Sequence, residues 1–105
     1  MIQNEHQNYL DSEGYPTEET LKLIRDFDLL RNGKEELLSI IKEIWCYHSC
    51  YQRDEERLTL ITGGWGGNED IIRALEGSMF WVLYWESSHR GGKYTFYLKE
   101  AETII

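Results

Sequence analysis

Thr62-Gly63-Gly64-Trp65-Gly66-Gly67-Asn68-Glu69-Asp70 is the stretch on which the fold turns. Four of the nine glycines lie in it, in two pairs around one tryptophan. The alternating run Leu58-Thr59-Leu60-Ile61 precedes it, and Ile71-Ile72-Arg73-Ala74-Leu75 follows at helical spacing. The pattern reads as strand, glycine turn, helix. Glycine costs backbone entropy, so paired glycines mark a backbone that takes positive φ or admits a close neighbour.

The strand covers 57–62 and the turn 63–67. Asn68 is the expected N-cap of a helix over 69–76, with Glu69 and Asp70 in its first turn and Gly77 as its stop. Downstream, Met79-Phe80-Trp81-Val82-Leu83-Tyr84-Trp85 is apolar on both alternate faces. It predicts a central strand buried on both sides, with Trp81 and Trp85 stacked on one face against the second helix. A loop over 87–92 then leads into a strand over 93–99, closing a hairpin.

Upstream, Tyr15-Pro16-Thr17-Glu18-Glu19 starts a helix with Thr17 as cap, running to about 28–31. Asn32 and Glu35 have the spacing of a capping box. They predict a second helix from 34 to about 51, whose stripe includes Leu37, Ile41, Ile44, Trp45, His48 and Tyr51. Residues 1–14 are polar and read as a flexible arm, with Tyr9 and Leu10 touching the body. The expected fold is therefore one α+β domain over 15–105, in the order ααβαββ, with helices on a small three-stranded, mainly antiparallel sheet.

The chain of 105 residues carries 11 basic and 19 acidic side chains, for a net charge of −8. Its 41% hydrophobic content, with three Phe, seven Tyr and four Trp, argues for an ordered aromatic core. Residues 1–56 hold 13 of the acidic side chains and six of the basic ones. Such a balance repels nucleic acids and anionic membranes, so no direct nucleic-acid contact and no membrane association is expected. With no signal-peptide pattern and no apolar run of about 18 residues, a cytoplasmic setting is expected. Cys46 and Cys50, four apart on the expected second helix, are poorly placed for a disulfide.

Several residues could carry chemistry. The turn Gly63–Gly67, with Gly64, Gly66 and Gly67 among the candidate site residues, could form an anion-binding nest ahead of the helix. Neither a P-loop nor a dinucleotide fingerprint is matched, and Glu69 and Asp70 sit where a phosphate would bind. Trp65 either folds onto the core or stands out as an interface anchor. Arg90, next to Gly91 and Gly92, projects from the hairpin loop, where a pair with Glu69 or Asp70 would form if the two loops met. Cys46, His48 and Cys50 do not make a metal site, because on one helix His48 points away from both cysteines. No cofactor motif and no serine nucleophile elbow is present. His48 and Trp45, on the stripe of the second helix, complete the candidate set, and His48 is expected as a core histidine.

The run from Thr62 to Leu75, with Phe80-Trp81, Trp85 and Arg90-Gly91-Gly92-Lys93-Tyr94-Thr95-Phe96, resembles uncharacterised small phage and prophage proteins. Tyr15-Pro16-Thr17-Glu18 and Ile44-Trp45 also fit, so the likeness covers roughly 15–98. The chain has Gly66 where such proteins usually have serine, and Lys93 where a histidine often follows the double glycine. The resemblance implies a phage product inside a bacterial host, acting by binding a host or phage protein as an inhibitor or modulator. The alternatives are a small-ligand binder or modest enzyme between the 63–67 turn and the Arg90 loop, and, third, a nucleic-acid mimic built on the acidic half. Two apolar strand faces in so short a chain also point to a covering layer, for which a homodimer would serve.

Overall fold

A computed structural model describes residues 9–99. The part of the expected arm before residue 9 and the tail over 100–105 lie outside the described residues. The chain is α+β, in the order α1 (Glu18–Arg25), α2 (Leu29–Asn32), α3 (Lys34–Ile44), a 3-10 turn (His48–Cys50), β1 (Tyr51–Arg53), β2 (Arg57–Ile61), α4 (Gly66–Glu76), α5 (Met79–Tyr84), β3 (Trp85–His89) and β4 (Lys93–Tyr97). The sheet has four strands, not three, in the order β1-β2-β4-β3, and every pairing is antiparallel.

Thr17 caps α1 as expected, accepting from the Thr20 amide at 3.1 Å. The helix ends at Arg25, and Asp28 caps the separate single turn α2. Asn32 is the last residue of α2 and not a cap. Gly33, at φ 83, takes that place before α3, which a side chain with a Cβ would do under strain. Tyr9 and Leu10 pack against the core, and the Tyr9 carbonyl accepts from Thr17 N and Thr20 Oγ1.

The second helix stops at Ile44, seven residues before its expected end. Trp45 is extended instead, and its indole, 2% exposed, donates from Nε1 to the Ile61 carbonyl at 3.2 Å. Tyr47 then takes φ 67, and the chain enters β1, a strand that the sequence pattern does not announce. A tertiary fit for Trp45 overrides the helical periodicity that runs through 51.

The second revision is α5. Met79–Tyr84 is a helix, because Ser78 caps it, accepting from Trp81 N at 3.3 Å and donating to the Leu75 carbonyl at 2.6 Å. Phe80 and Tyr84, four apart, form its buried face. A short apolar run suits either a helix or a buried strand, and here the cap decides. The strand falls instead on Trp85–His89, most of which reads as a loop in the sequence. Trp81 and Trp85 do stack, with centroids 5.9 Å apart and planes at 12°, but across the α5–β3 junction and beside β4.

One sheet face carries Leu58, Leu60 and Phe96, all fully buried, in alternation along β2 and β4. Ile24, Leu37, Ile41, Ile71 and Leu75 from the helices complete that core. Phe80 joins the layers, 5.2 Å from Phe96 and 5.0 Å from Tyr84. The β2–β4 register sets Ile61 opposite Lys93, so the glycine turn after β2 meets the Gly91-Gly92 hairpin turn.

Candidate functional site

The turn after β2 is built from its glycines. Gly63 and Gly64 take φ of 64 and 76, and Trp65 N donates back to the Thr62 carbonyl at 3.1 Å. Helix α4 begins at Gly66, earlier than the sequence spacing predicts, with Trp65 as its N-terminal boundary. A Cβ on Gly66 would lie 3.5 Å from the Tyr15 ring, and one on Gly67 only 2.5 Å from Trp65 Nε1. These two glycines make room for an aromatic pair: Trp65 is half-buried, its ring 4.6 Å from Tyr15.

Asn68 is not a cap. It is buried, and its amide holds the chain leaving α3: Oδ1 accepts from Cys46 N at 3.0 Å, and Nδ2 donates to the carbonyls of Cys46 at 3.0 Å and Thr62 at 3.2 Å. Trp45 lies beneath the same turn through its bond to Ile61. Tyr47 is the first residue beyond this clamp, at positive φ, with its ring against Gly63: a Cβ on that glycine would stand 2.9 Å from Tyr47 Cδ2. Tyr47 is 51% exposed, and Gly64 next along the turn is open, since a Cβ on it would meet nothing within 4 Å. Left-handed φ in a bulky residue is strained and held by its surroundings, a pattern that gathers at functional sites.

The structure thus draws Gly64, Trp65, Gly66, Gly67, Asn68 and Trp45 together around one turn. It separates the rest. His48 is exposed in the 3-10 turn and not in the core. Cys46 and Cys50 are both free thiols, off any α-helix. Glu69 lines a hollow of about 370 Å³ that it shares with Thr62, Arg73, Glu76, Gly92 and Tyr94. The hairpin turn reaches that hollow through Gly92, whose carbonyl accepts from Thr62 N at 3.0 Å, whereas Arg90 is exposed and does not line it. Asp70 pairs with Arg73 at 2.6 Å instead of with Arg90. Tyr47 itself gives no signal in the sequence, because nothing local marks a tyrosine for positive φ.

Two other polar clusters bear on chemistry. Ser87 Oγ lies 2.9 Å from His89 Nε2 and 2.6 Å from Thr95 Oγ1. Among the described residues no carboxylate is hydrogen-bonded to His89, so the pair lacks the group that orients a catalytic base. No three His, Cys, Asp or Glu among the described residues are placed to hold a metal. Paired bonds from Arg53 to Glu35, at 2.8 and 2.7 Å, tie β1 to α3, and bonds from Arg57 to Glu86, at 2.9 and 3.0 Å, tie β2 to β3. The guanidinium bonds hold Glu35 and Glu86 below the usual carboxylate range, while burial pushes the Tyr51 phenol up.

No helix among the described residues is long and apolar enough to cross a membrane. No protein-family model, no curated protein and no solved structure matches this chain.

Proposed function

We propose that the chain is a small phage-type protein that acts by binding a host or phage protein, as an inhibitor or modulator of it, in the bacterial cytoplasm and without direct nucleic-acid contact. The observation that carries this reading is Tyr47, kept at φ 67 with half its surface exposed, near the open Gly64. Tyrosine offers a large amphipathic contact at low entropic cost, and a bare glycine lets a partner backbone come close. Strain retained under the Asn68 clamp fits a residue kept for contact, since glycine at position 47 would hold the same backbone at less cost.

The test is affinity capture from bacterial lysate with wild type, Tyr47→Gly and Tyr47→Ala, each first checked for folding by circular dichroism. A partner retained stoichiometrically by wild type and lost by both folded variants supports the reading. Undiminished capture by the variants, or none by wild type, defeats it.

The alternative, a small-ligand site, draws on the contact of Thr62 with Gly92. The hollow beside it presents the Glu69 and Glu76 carboxylates with Arg73 between them on α4, so its ligand would carry a cationic group. A small-mass adduct in native mass spectrometry, lost on Glu69→Gln, would favour it over the Tyr47 reading.

A further inference from the structure

We infer that the outward face of α5, with Leu30 of α2, is covered by a second copy of this chain in a two-fold homodimer. Helix α5 has no charged side chain. Only Phe80 and Tyr84 are buried, while Val82 is 80% and Leu83 55% exposed, and Met79 also faces solvent. A helix that is apolar all round is normally enclosed.

The surrounding surface continues this face. One groove of about 830 Å³ runs between Leu30 and Leu83, and a second, of about 550 Å³, between Leu83 and Trp85. Both include Leu83, Tyr84 and Lys99, so they are one surface with Leu83 as the ridge. Leu30, 85% exposed, projects at one end. Knobs beside grooves on one patch are what an isologous contact needs, each copy seating its knobs in the other.

Size and charge both select a like partner. The exposed apolar side chains of this face, Leu30, Met79, Val82, Leu83 and Trp85, present on the order of 600 Å², the upper end of the roughly 300–600 Å² of the largest patch on a monomer and approaching the roughly 800 Å² per partner of a stable interface. Homodimer interfaces are also the more apolar class. The chain as a whole carries −8, so most of its surface repels a copy of itself. Here the grooves hold Lys34, Arg57 and Lys99 against Glu35, Glu56 and Glu86, a balanced set. Strand addition at the β3 edge is the less favourable route, because the register shifts between Trp85 and Ser87 and Glu86 is engaged by Arg57.

The mass in solution decides this, by light scattering after size exclusion and by native mass spectrometry. Wild type should have twice the chain mass, and Val82→Asp and Leu30→Asp, at highly exposed positions that leave the core intact, should run as folded monomers. A monomeric wild type overturns the inference, whatever then covers the face. So does a dimer that survives both substitutions. Because Tyr47 lies on other elements, Val82→Asp should leave capture through Tyr47 in place, and failure of one proposal does not entail failure of the other.

Discussion

Asn68 and Cys46, 22 residues apart, are joined by two hydrogen bonds of 3.0 Å, one in each direction between the side-chain amide and the Cys46 backbone. The amide serves Cys46 as a neighbouring strand residue would, exchanging both bonds with one peptide position. It ends α3, holds the Trp45 ring in the core and presents Tyr47. Asn68→Ala leaves the part-buried N–H and carbonyl of Cys46 short of partners, while the Thr62 carbonyl keeps its bond from Trp65 N, so it should cost about 2 kcal/mol of stability in urea unfolding. Asn68→Asp keeps the acceptor and loses both donors, and should also destabilise. A loss below about 0.5 kcal/mol for Asn68→Ala would show the clamp to be incidental.

Gly67 and Trp65 should be coupled. Gly67→Ala places a methyl group 2.5 Å from Trp65 Nε1 and must push the indole off Tyr15, costing about 1–2 kcal/mol. In a Trp65→Ala background the obstacle is gone, and alanine in a helix is favoured over glycine by about 1 kcal/mol. A double-mutant cycle should therefore reverse the sign of the Gly67→Ala effect. Equal effects in both backgrounds would mean that Trp65 does not lie over Gly67.

Ser78 decides that Met79–Tyr84 is a helix. Ser78→Ala removes the cap bond to Trp81 N and the bond to the Leu75 carbonyl, at a cost of about 1 kcal/mol or somewhat more. The stacked Trp81 and Trp85 rings should give an exciton couplet in far-ultraviolet circular dichroism that weakens in this variant. An unchanged couplet and melting temperature would rule out this role for the serine.

Stability should fall on acidification. Glu35 and Glu86 bind their protons less tightly folded than unfolded, because Arg53 and Arg57 bond the carboxylates. Their contribution is complete above the ordinary glutamate value of about 4.3 and is lost as pH drops below it through the depressed folded values. Both pairs are largely exposed, so the effect is modest and shrinks with salt. Urea unfolding from about pH 6 to about pH 3 should show a shallower decline in Glu35→Gln than in wild type. Parallel profiles would leave the Arg53 pair without a role in acid stability.

Much of the fold is legible where local rules and tertiary packing agree. Thr17 caps its helix, Leu58 and Leu60 alternate into the core, Gly91-Gly92 turns the hairpin, and the 63–67 turn joins a strand to a helix. Legibility ends where a side chain answers to a distant backbone. Nothing near Trp45 announces that its indole will bond Ile61, so the helical stripe runs on through His48 and conceals β1. The alternation over 79–85 suits a strand as well as a helix, and Ser78 is the signal that separates them. The glycine pairs do mark the decisive turn, yet their purpose differs by pair: positive φ at Gly63 and Gly64, and space for Tyr15 and Trp65 at Gly66 and Gly67.

By itself, the sequence determined the α+β class, the helix starts at Thr17 and after Asn32, the turn between β2 and α4, and the acidic balance, because caps, periodicity and glycine conformations are set within a few residues. Only the tertiary structure decided the fourth strand, the helical state of α5, the burial of Asn68 and the exposure of Tyr47 and Val82. Those depend on which backbone groups and apolar faces meet across long chain separations, where one hydrogen bond from Trp45 or three with Asn68 outweigh the small preferences of the residues in between.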